Sequence, residues 1–404
     1  MAQNTVLFRE KTMSILNATT FQQGATERVY MGRPTSEVLR EEVDLLQAQR
    51  VFLLVSETLR AKTDEIAKIE KALGSRVVRV YSGIPPHAPR SSVLAASAAA
   101  REVDADLVIA IGGGSVTDAG KLIPLALKYN MLEHDDMEPY HVYVDDAGNT
   151  VTPEFDGPDI PFVSCPTTLS GGSFYPLAGA TDETIGYKQG YIQRNMVPVS
   201  IVLDPALTLH TPEWLWTSTG VRSLDHALET LGSMRSDHFS DGIADSAIRL
   251  LCEALPAVQA NPSDLDARLR CQVGSWQSMV PIVAGVPMGA SHAIGHTLGG
   301  TADVPHGHCS CVMAPAVLRF NEPVNGARQK RISACFGRPE EAAADLVDEF
   351  IRSLGMPRTL SEVGVREDQL EHIAELTMGD FWSRTNARAI DGPGDIRQIL
   401  EMAR

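Results

Sequence analysis

From about residue 35 to residue 205, apolar runs of strand length alternate with amphipathic segments of helix length. This alternation limits the fold more than any other feature of the chain. "RVFLLVS" (50–56) reads as a buried strand, and "TSEVLREEVDLLQAQ" before it repeats its apolar residues at helical spacing. "RVVRVYSG" (76–83) and "ADLVIAI", which ends at Gly112, are further strands; "SSVLAASAAAREVD" between them is a helix of small residues. Alternation of this kind predicts a parallel, doubly wound, Rossmann-like sheet with helices on its faces. The pattern breaks between about 129 and 160. There "HVYVDDAGNTVTPEF" sets β-formers around a D-D-A-G-N turn, which predicts a hairpin inserted into the α/β unit. "DIPFVSCP" and "VSIVLDP" (199–205) return to the sheet.

After Pro205 strand signals nearly vanish. "PEWLWTSTGVRSLDHALETLGS", "SDGIADSAIRLLCEALPAVQ" and "SDLDARLRCQVGSWQSM" are long helical segments. A chain of 404 residues suggests two domains. We place an α/β domain over 1–205 and an all-helical domain over 206–404, with no repeat or low-complexity linker.

The formal net charge is −16 and the sequence pI about 5.1. That balance argues against nucleic acid and against an anionic membrane surface as partners. A few arginines can still make a local pocket for a small anionic substrate. The N-terminus "MAQNTVLFREKTMSILNATT" has no continuous apolar core and no small-residue cleavage site, so it is not read as a secretory signal. No run reaches the length of a membrane span. None of the six cysteines forms C-x-x-C, as expected of reduced thiols in a cytoplasmic protein. Cys309 and Cys311 lie near a histidine cluster, but C-x-C in an apolar segment is weak evidence for metal.

"LVIAIGGGSVTDAGKL" places Gly112, Gly113, Gly114 and Ser115 between a strand and a helix. Glycines admit a phosphate close to the backbone, and a helix start offers free N–H groups. The spacing is not G-x-G-x-x-G, so the usual dinucleotide fingerprint is not met. "CPTTLSGGSF" (165–174) is a second such loop, with hydroxyls from Thr167, Thr168, Ser170 and Ser173. Two loops of this type predict a ligand with two phosphates, such as a dinucleotide.

"SHAIGHTLGGTADVPHGHCSC" holds His292, His296, His306 and His308, four of the chain's 11 histidines. His292 and His296 share a helix face, and Gly299 and Gly300 are expected to end that helix. His306 is expected in the turn before the next helix. His226 lies on an earlier helix. A lone histidine on such a face is usually a packed residue, whereas several converging imidazoles fit a metal or proton-transfer site.

The set "GGGSVTDAGK", "PTTLSGGS", "IVLDPALT", G-x-x-x-x-x-H-A-x-E (220–229) and H-x-x-x-H-x-L-G…P-H-G resembles the iron-containing alcohol dehydrogenase family. The likeness runs from about 28 to 404. "GIPPHAPRSSV" and "NAR" (386–388) are similar to the maleylacetate reductase branch. The resemblance implies that 1–205 binds a nicotinamide dinucleotide, that 206–404 is the catalytic domain, and that the chain is a homodimer. It implies His226, His292 and His306 at three positions where the family binds a metal, and His296 near the nicotinamide. The family's fourth ligand, an aspartate four residues before His226, is replaced by Arg222. Arginine stays protonated. A unit charge 4 Å from a dication repels it by roughly 8 kcal/mol at an effective dielectric of 20. Asp225 could substitute as a ligand, but it lies about 100° round the helix from His226. A divalent metal (Fe or Zn) is therefore expected to be absent; if one binds, the three histidines hold it.

Ser56 ends the second strand where an acidic residue would select NAD, so NAD and NADP both remain open. Lys188 matches a family lysine near the cofactor ribose. The expected function is an NAD(P)H-dependent reductase of a carboxylate-bearing carbonyl or enone, with Arg222, His226, His292, His296 and His306 in catalysis. The alternatives are a metal-dependent alcohol dehydrogenase with three histidine ligands and a dehydroquinate-synthase-like lyase or cyclase.

Overall fold

The computed structural model describes residues 24–145 and 150–404. The N-terminal segment read for a signal lies outside the described residues, as does most of the D-D-A-G-N turn. The strands are β1 (Arg28–Met31), β2 (Val51–Val55), β3 (Val77–Ser82), β4 (Leu107–Gly112), β5 (Tyr143–Val144), β6 (Thr150–Val151), β7 (Phe162–Pro166), β8 (Leu177–Asp182), β9 (Tyr187–Ile192) and β10 (Ser200–Leu203). Six of them form one parallel sheet in the order β1-β10-β7-β4-β2-β3. β2, β4, β7 and β10 are buried at every residue. That explains why they read as continuous apolar runs rather than alternating ones.

The first-half helices are α1 (Thr35–Leu45), α2 (Glu57–Lys62), α3 (Glu65–Leu73), α4 (Arg90–Glu102) and α5 (Gly114–Lys128). α1 and α3 pack with one face of the sheet through Val38, Leu39, Ile66 and Ile69. α4 and α5 cover the other through Val93, Ala96, Leu122 and Ile123. Gly120 lets α5 lie close to the sheet, since a Cβ there would fall 2.6 Å from Phe162 and 2.8 Å from Ala110. The expected hairpin is β5 and β6, antiparallel and two residues each. A second hairpin, β8 and β9, was not foreseen. Fully buried Arg90 ties the two insertions together. It donates to the Tyr191 hydroxyl at 2.9 Å and pairs with Glu138 at 2.5 Å and Asp182 at 3.3 Å.

No strand follows β10 among the described residues. α6 (Glu213–Gly232), α7 (His238–Ala260), α8 (Leu265–Val283), α9 (Ala290–Ala302), α10 (His306–Cys335), α11 (Ala343–Ser353), α12 (Leu370–Thr377) and α13 (Pro393–Met402) make up the second half. α6, the central helix, is buried along most of its length against α7, α8 and α10. Gly220 and Gly307 permit this, because a Cβ at either would come within 2.7 Å of Leu255 or Ser218.

Gly299 and Gly300 do not end α9. The helix runs on to Ala302 and stops at Asp303, whose φ is 53°. Gly299 instead makes room, since a Cβ there would lie 2.9 Å from His306 Cε1. His306 is the first residue of α10, not part of a preceding turn.

Lys121 of α5 is fully buried, and its Nζ donates to the carbonyls of Gly172, Tyr175 and Leu177 at 2.6, 2.8 and 2.7 Å. Burial pushes its pKa down to about 8, while three acceptors suit the three N–H bonds of the ammonium form. Lys121→Met would leave three part-buried carbonyls without their donor. We expect a loss of roughly 2–4 kcal/mol in unfolding free energy, measured by urea denaturation, together with weaker nucleotide binding as the segment after β7 loosens.

Candidate active site

Loops at the carboxyl ends of β3, β2, β4 and β7, neighbours in the sheet, share one edge. The chain leaves β2 towards β3 and returns on the other side as β4, so a switch point and its crevice lie there. Gly113 caps α5, whose first-turn amides have no helical partner. The two glycine loops touch. The Thr167 N–H donates to the Gly112 carbonyl at 2.9 Å. A Cβ on Gly113 would come 3.2 Å from Thr168, and one on Gly114 3.4 Å from Ser170. The three glycines therefore serve loop contact as well as space for a phosphate.

Thr168 Oγ1 and Ser170 Oγ stand 3.4 Å apart in the second loop. Ser56 caps α2, its N–H bonded to the Ile111 carbonyl at 2.9 Å. Ser115 Oγ accepts the His87 N–H at 3.0 Å. Ser173 is used inside the fold, since it is buried with its hydroxyl 2.9 Å from Ser164 Oγ. Lys188 Nζ pairs with Asp118 of α5 at 3.0 Å.

The histidines do come together. His226 and His292 stack with ring centroids 4.7 Å apart; His292 meets His296 edge-on at 6.5 Å, and His296 meets His306 at 6.3 Å. His87 continues the row, 5.9 Å from His306. His308 stands apart, its ring 5.9 Å from that of Trp214. The row reaches the glycine loops: Gly171, at φ 77°, is backed by His226, whose Cε1 would lie 3.5 Å from a Cβ there. Burial, then neighbouring positive charge, holds His292 and His306 well below the ordinary imidazole range; for His226 burial and the His292 ring do most of this. These three rings are neutral at pH 7. His226 Nδ1, His292 Nε2 and His306 Nδ1 are buried without a hydrogen-bond partner.

Arg222 lies one turn before His226 on α6, between α9 and α10. Its Nη1 is 3.4 Å from Ser310 Oγ and would be 3.9 Å from a Cβ on Gly295. Its charge depresses all three buried imidazoles. The same field would act on a cation held between them. The orphaned ring nitrogens could ligate a metal, but the Arg222 guanidinium beside them would repel it, so these three rings fit a divalent ion poorly. Asp225 reaches only the Nδ1 side of His292, at 3.7 Å, where Glu229 also lies, and it accepts from Ser291 Oγ at 2.7 Å. Asp225 and Glu229 are both pushed up by burial.

Three supports were not foreseen. Glu229 accepts the N–H groups of Gly289 and Ser291 at 3.1 and 3.0 Å, and His292 Nδ1 lies 2.6 Å from its Oε2. Asp380 Oδ2 is 2.8 Å from His296 Nδ1. Asn386, of the N-A-R motif, accepts the Ala290 N–H at 3.2 Å and pairs with Asn321 at 2.7 Å. The H-A-x-E and N-A-R patterns carried the signal for Glu229 and Asn386. Nothing in the sequence marks Asp380, 84 residues from its partner.

A phosphate-binding α/β half facing an imidazole-lined helical half is the arrangement of a nicotinamide-dependent dehydrogenase. Residues 26–205 match the iron-containing alcohol dehydrogenase family, and 216–404 match that family's C-terminal region. A dehydrogenase of Alternaria alternata is 31% identical over 83% of this chain and 94% of its own length. A maleylacetate reductase of Burkholderia cepacia is 30% identical over 93% of this chain and 95% of its own. The crystal structure of maleylacetate reductase from Agrobacterium tumefaciens superposes with a TM-score of 0.80 at 26% identity, covering 96% of this chain and 98% of that one. The chain belongs to the iron-containing alcohol dehydrogenase family, on its maleylacetate reductase-like branch, and is an oxidoreductase.

Gly113→Leu would drive a branched side chain into Thr168 and fill the space before the α5 amides. We expect NADH affinity to fall at least about tenfold by fluorescence titration, with far-ultraviolet circular dichroism unchanged.

Proposed function

We propose that this protein is an NAD(P)H-dependent, metal-independent reductase of a small substrate carrying a carboxylate beside its carbonyl or enone, with maleylacetate as the type. The observation that carries this reading is Arg222: a guanidinium whose charge reaches three neutral imidazoles, in the position where the family places a metal-binding aspartate. Bound NAD(P)H supplies the hydride. Arg222 binds the substrate's negative charge and, with the imidazoles, stabilises the oxyanion that develops. His296 is the proton donor. Its side chain is 39% exposed, so it can exchange protons with solvent, and Asp380 behind Nδ1 turns Nε2 towards the cleft. Among the described residues Arg222 has a hydrogen bond to Ser310 and no ion pair, and the buried Asp225 and Glu229 act on its charge from farther off, which supports its use by a ligand. The family likeness supports a homodimer, which sedimentation would check.

Purified protein is expected to hold no stoichiometric Fe or Zn, and chelator to leave turnover unchanged. Arg222→Ala should lower kcat/KM by about ten- to a hundredfold while cofactor affinity stays, as for a lost charge-assisted hydrogen bond of roughly 1.5–3 kcal/mol. Arg222→Asp should gain affinity for a divalent ion by calorimetry. One metal per chain in the unmodified protein, with activity lost to chelator, would instead make it a metal-dependent alcohol dehydrogenase.

A further inference from the structure

The loop from β3 to α4 holds two adjacent residues in left-handed backbone, and neither is glycine. His87 lies at φ 64° and Ala88 at φ 46°. Any residue with a Cβ is strained there, and such strain persists only where the surroundings enforce it. Here they do. The His87 N–H donates to Ser115 Oγ at 3.0 Å, Thr181 Oγ1 donates to the His87 carbonyl at 3.1 Å, and the Thr181 N–H donates to the Ala88 carbonyl at 3.2 Å. Two residues on, buried Arg90 anchors the loop to Tyr191 and Asp182.

What this enforced geometry presents is an imidazole. Ala88 is buried, whereas the His87 side chain is 40% exposed. Its ring meets His306 edge-on, and its Nε2 stands 4.0 Å from Asp303 Oδ1, too far for a hydrogen bond. The residue that pins it, Ser115, belongs to the first glycine loop. His87 therefore hangs from the nucleotide-binding half over the imidazole row of the helical half. It stands two rings out from His296, at the opposite end of the row from His226.

We propose that His87 is a specificity-determining residue, whose imidazole hydrogen-bonds a polar group of the substrate at the end of the imidazole row farthest from His226. The inference rests on the carboxylate-bearing substrate proposed above and adds which residue holds its outer end. Arg222 and His87 then hold separate polar groups of the substrate, with His296 two rings inward of His87.

The test is steady-state kinetics with maleylacetate and NADH on the full-length protein, alongside NADH affinity by fluorescence titration. His87→Gly removes the imidazole while accepting φ 64° without strain, and keeps the backbone bond to Ser115. It should raise KM for maleylacetate at least about tenfold and leave the NADH dissociation constant within twofold. His87→Asn tolerates the same backbone and keeps a donor, so it should recover most of that loss. An unchanged KM in His87→Gly, or a rise in KM matched by an equal rise in the NADH constant, would overturn the inference and leave His87 as a brace for the nucleotide loop. If His87→Gly fails to fold, full recovery by His87→Ala, which keeps the strain but no donor, would overturn it too. Absence of any turnover or binding of maleylacetate by the unmodified protein would instead overturn the substrate reading itself, and this inference with it.

Discussion

The carboxylate of Glu229 joins the helices that form the site. It projects from α6 to the start of α9, accepts two backbone N–H groups there and lies 2.6 Å from His292 Nδ1. Helix N-termini attract negative charge, so a carboxylate at this point suits both the dipole and the free amides. With Nδ1 engaged, the other nitrogen of His292 is the one left for the cleft. Asn386 supports the same turn by accepting the neighbouring amide. The H-A-x-E and N-A-R motifs thus meet at one helix end, far apart in sequence. If Glu229 were apolar, α9 would begin with unsatisfied buried amides and the imidazole row would lose its register.

The second constraint ties the two halves together. The loop after β7 is held from both sides. Lys121 takes two of its carbonyls, and that of Leu177 at the start of β8, from within the α/β half. From the helical half, Ser223 of α6 and Ser275 of α8 both donate to the Leu169 carbonyl, and Thr219 Oγ1 accepts the Leu169 N–H at 3.1 Å. All of these groups are buried, so each would be costly to leave unpaired. A loop fixed this way cannot shift relative to His226, which it touches at Gly171. Hydride transfer needs reacting atoms held within a few tenths of an ångström. Rigid contacts between the nucleotide loops and the helix bearing Arg222 and His226 are what that requirement predicts.

Much of this was readable from residue order. Strands buried on both faces appear as unbroken apolar runs such as "VFLLV", so the interior of the sheet was legible, whereas the short, partly exposed edge strand β1 was not. The glycine loops were legible because glycine in series is rare without a close approach. The histidines were legible by count and by the four-residue spacing of one helix face. What failed depends on contacts between distant residues. Gly299–Gly300 reads as a helix stop, yet the pair stays helical because His306 needs the space beside it. Ser173 has the composition of a ligand-binding loop, but a serine in the neighbouring strand claims its hydroxyl. The hairpin of β8 and β9 has too little apolar periodicity to announce itself. Asp380 carries no local pattern at all, and its role exists only because the segment after α12 returns to His296.

The substitution at position 222 can be followed one step further by counting charge. In the family's pattern, one aspartate and three neutral histidines surround a dication, which leaves a net charge of about one positive unit at the reacting carbonyl. On the metal-independent reading, Arg222 and three neutral imidazoles leave the same net charge with no metal. A developing oxyanion would meet a similar field in either case. The difference lies in how the charge is delivered. A metal acts as a Lewis acid on one oxygen, whereas a guanidinium spreads its charge over five donors in a plane. That plane matches a carboxylate better than a single carbonyl oxygen. A site that exchanges metal for arginine therefore gives up force on a simple carbonyl and gains grip on a substrate that brings its own carboxylate. On that reading, the chemistry suited to Arg222 would be narrower than that of a metal-dependent site, and the narrowing would follow from one side chain on α6.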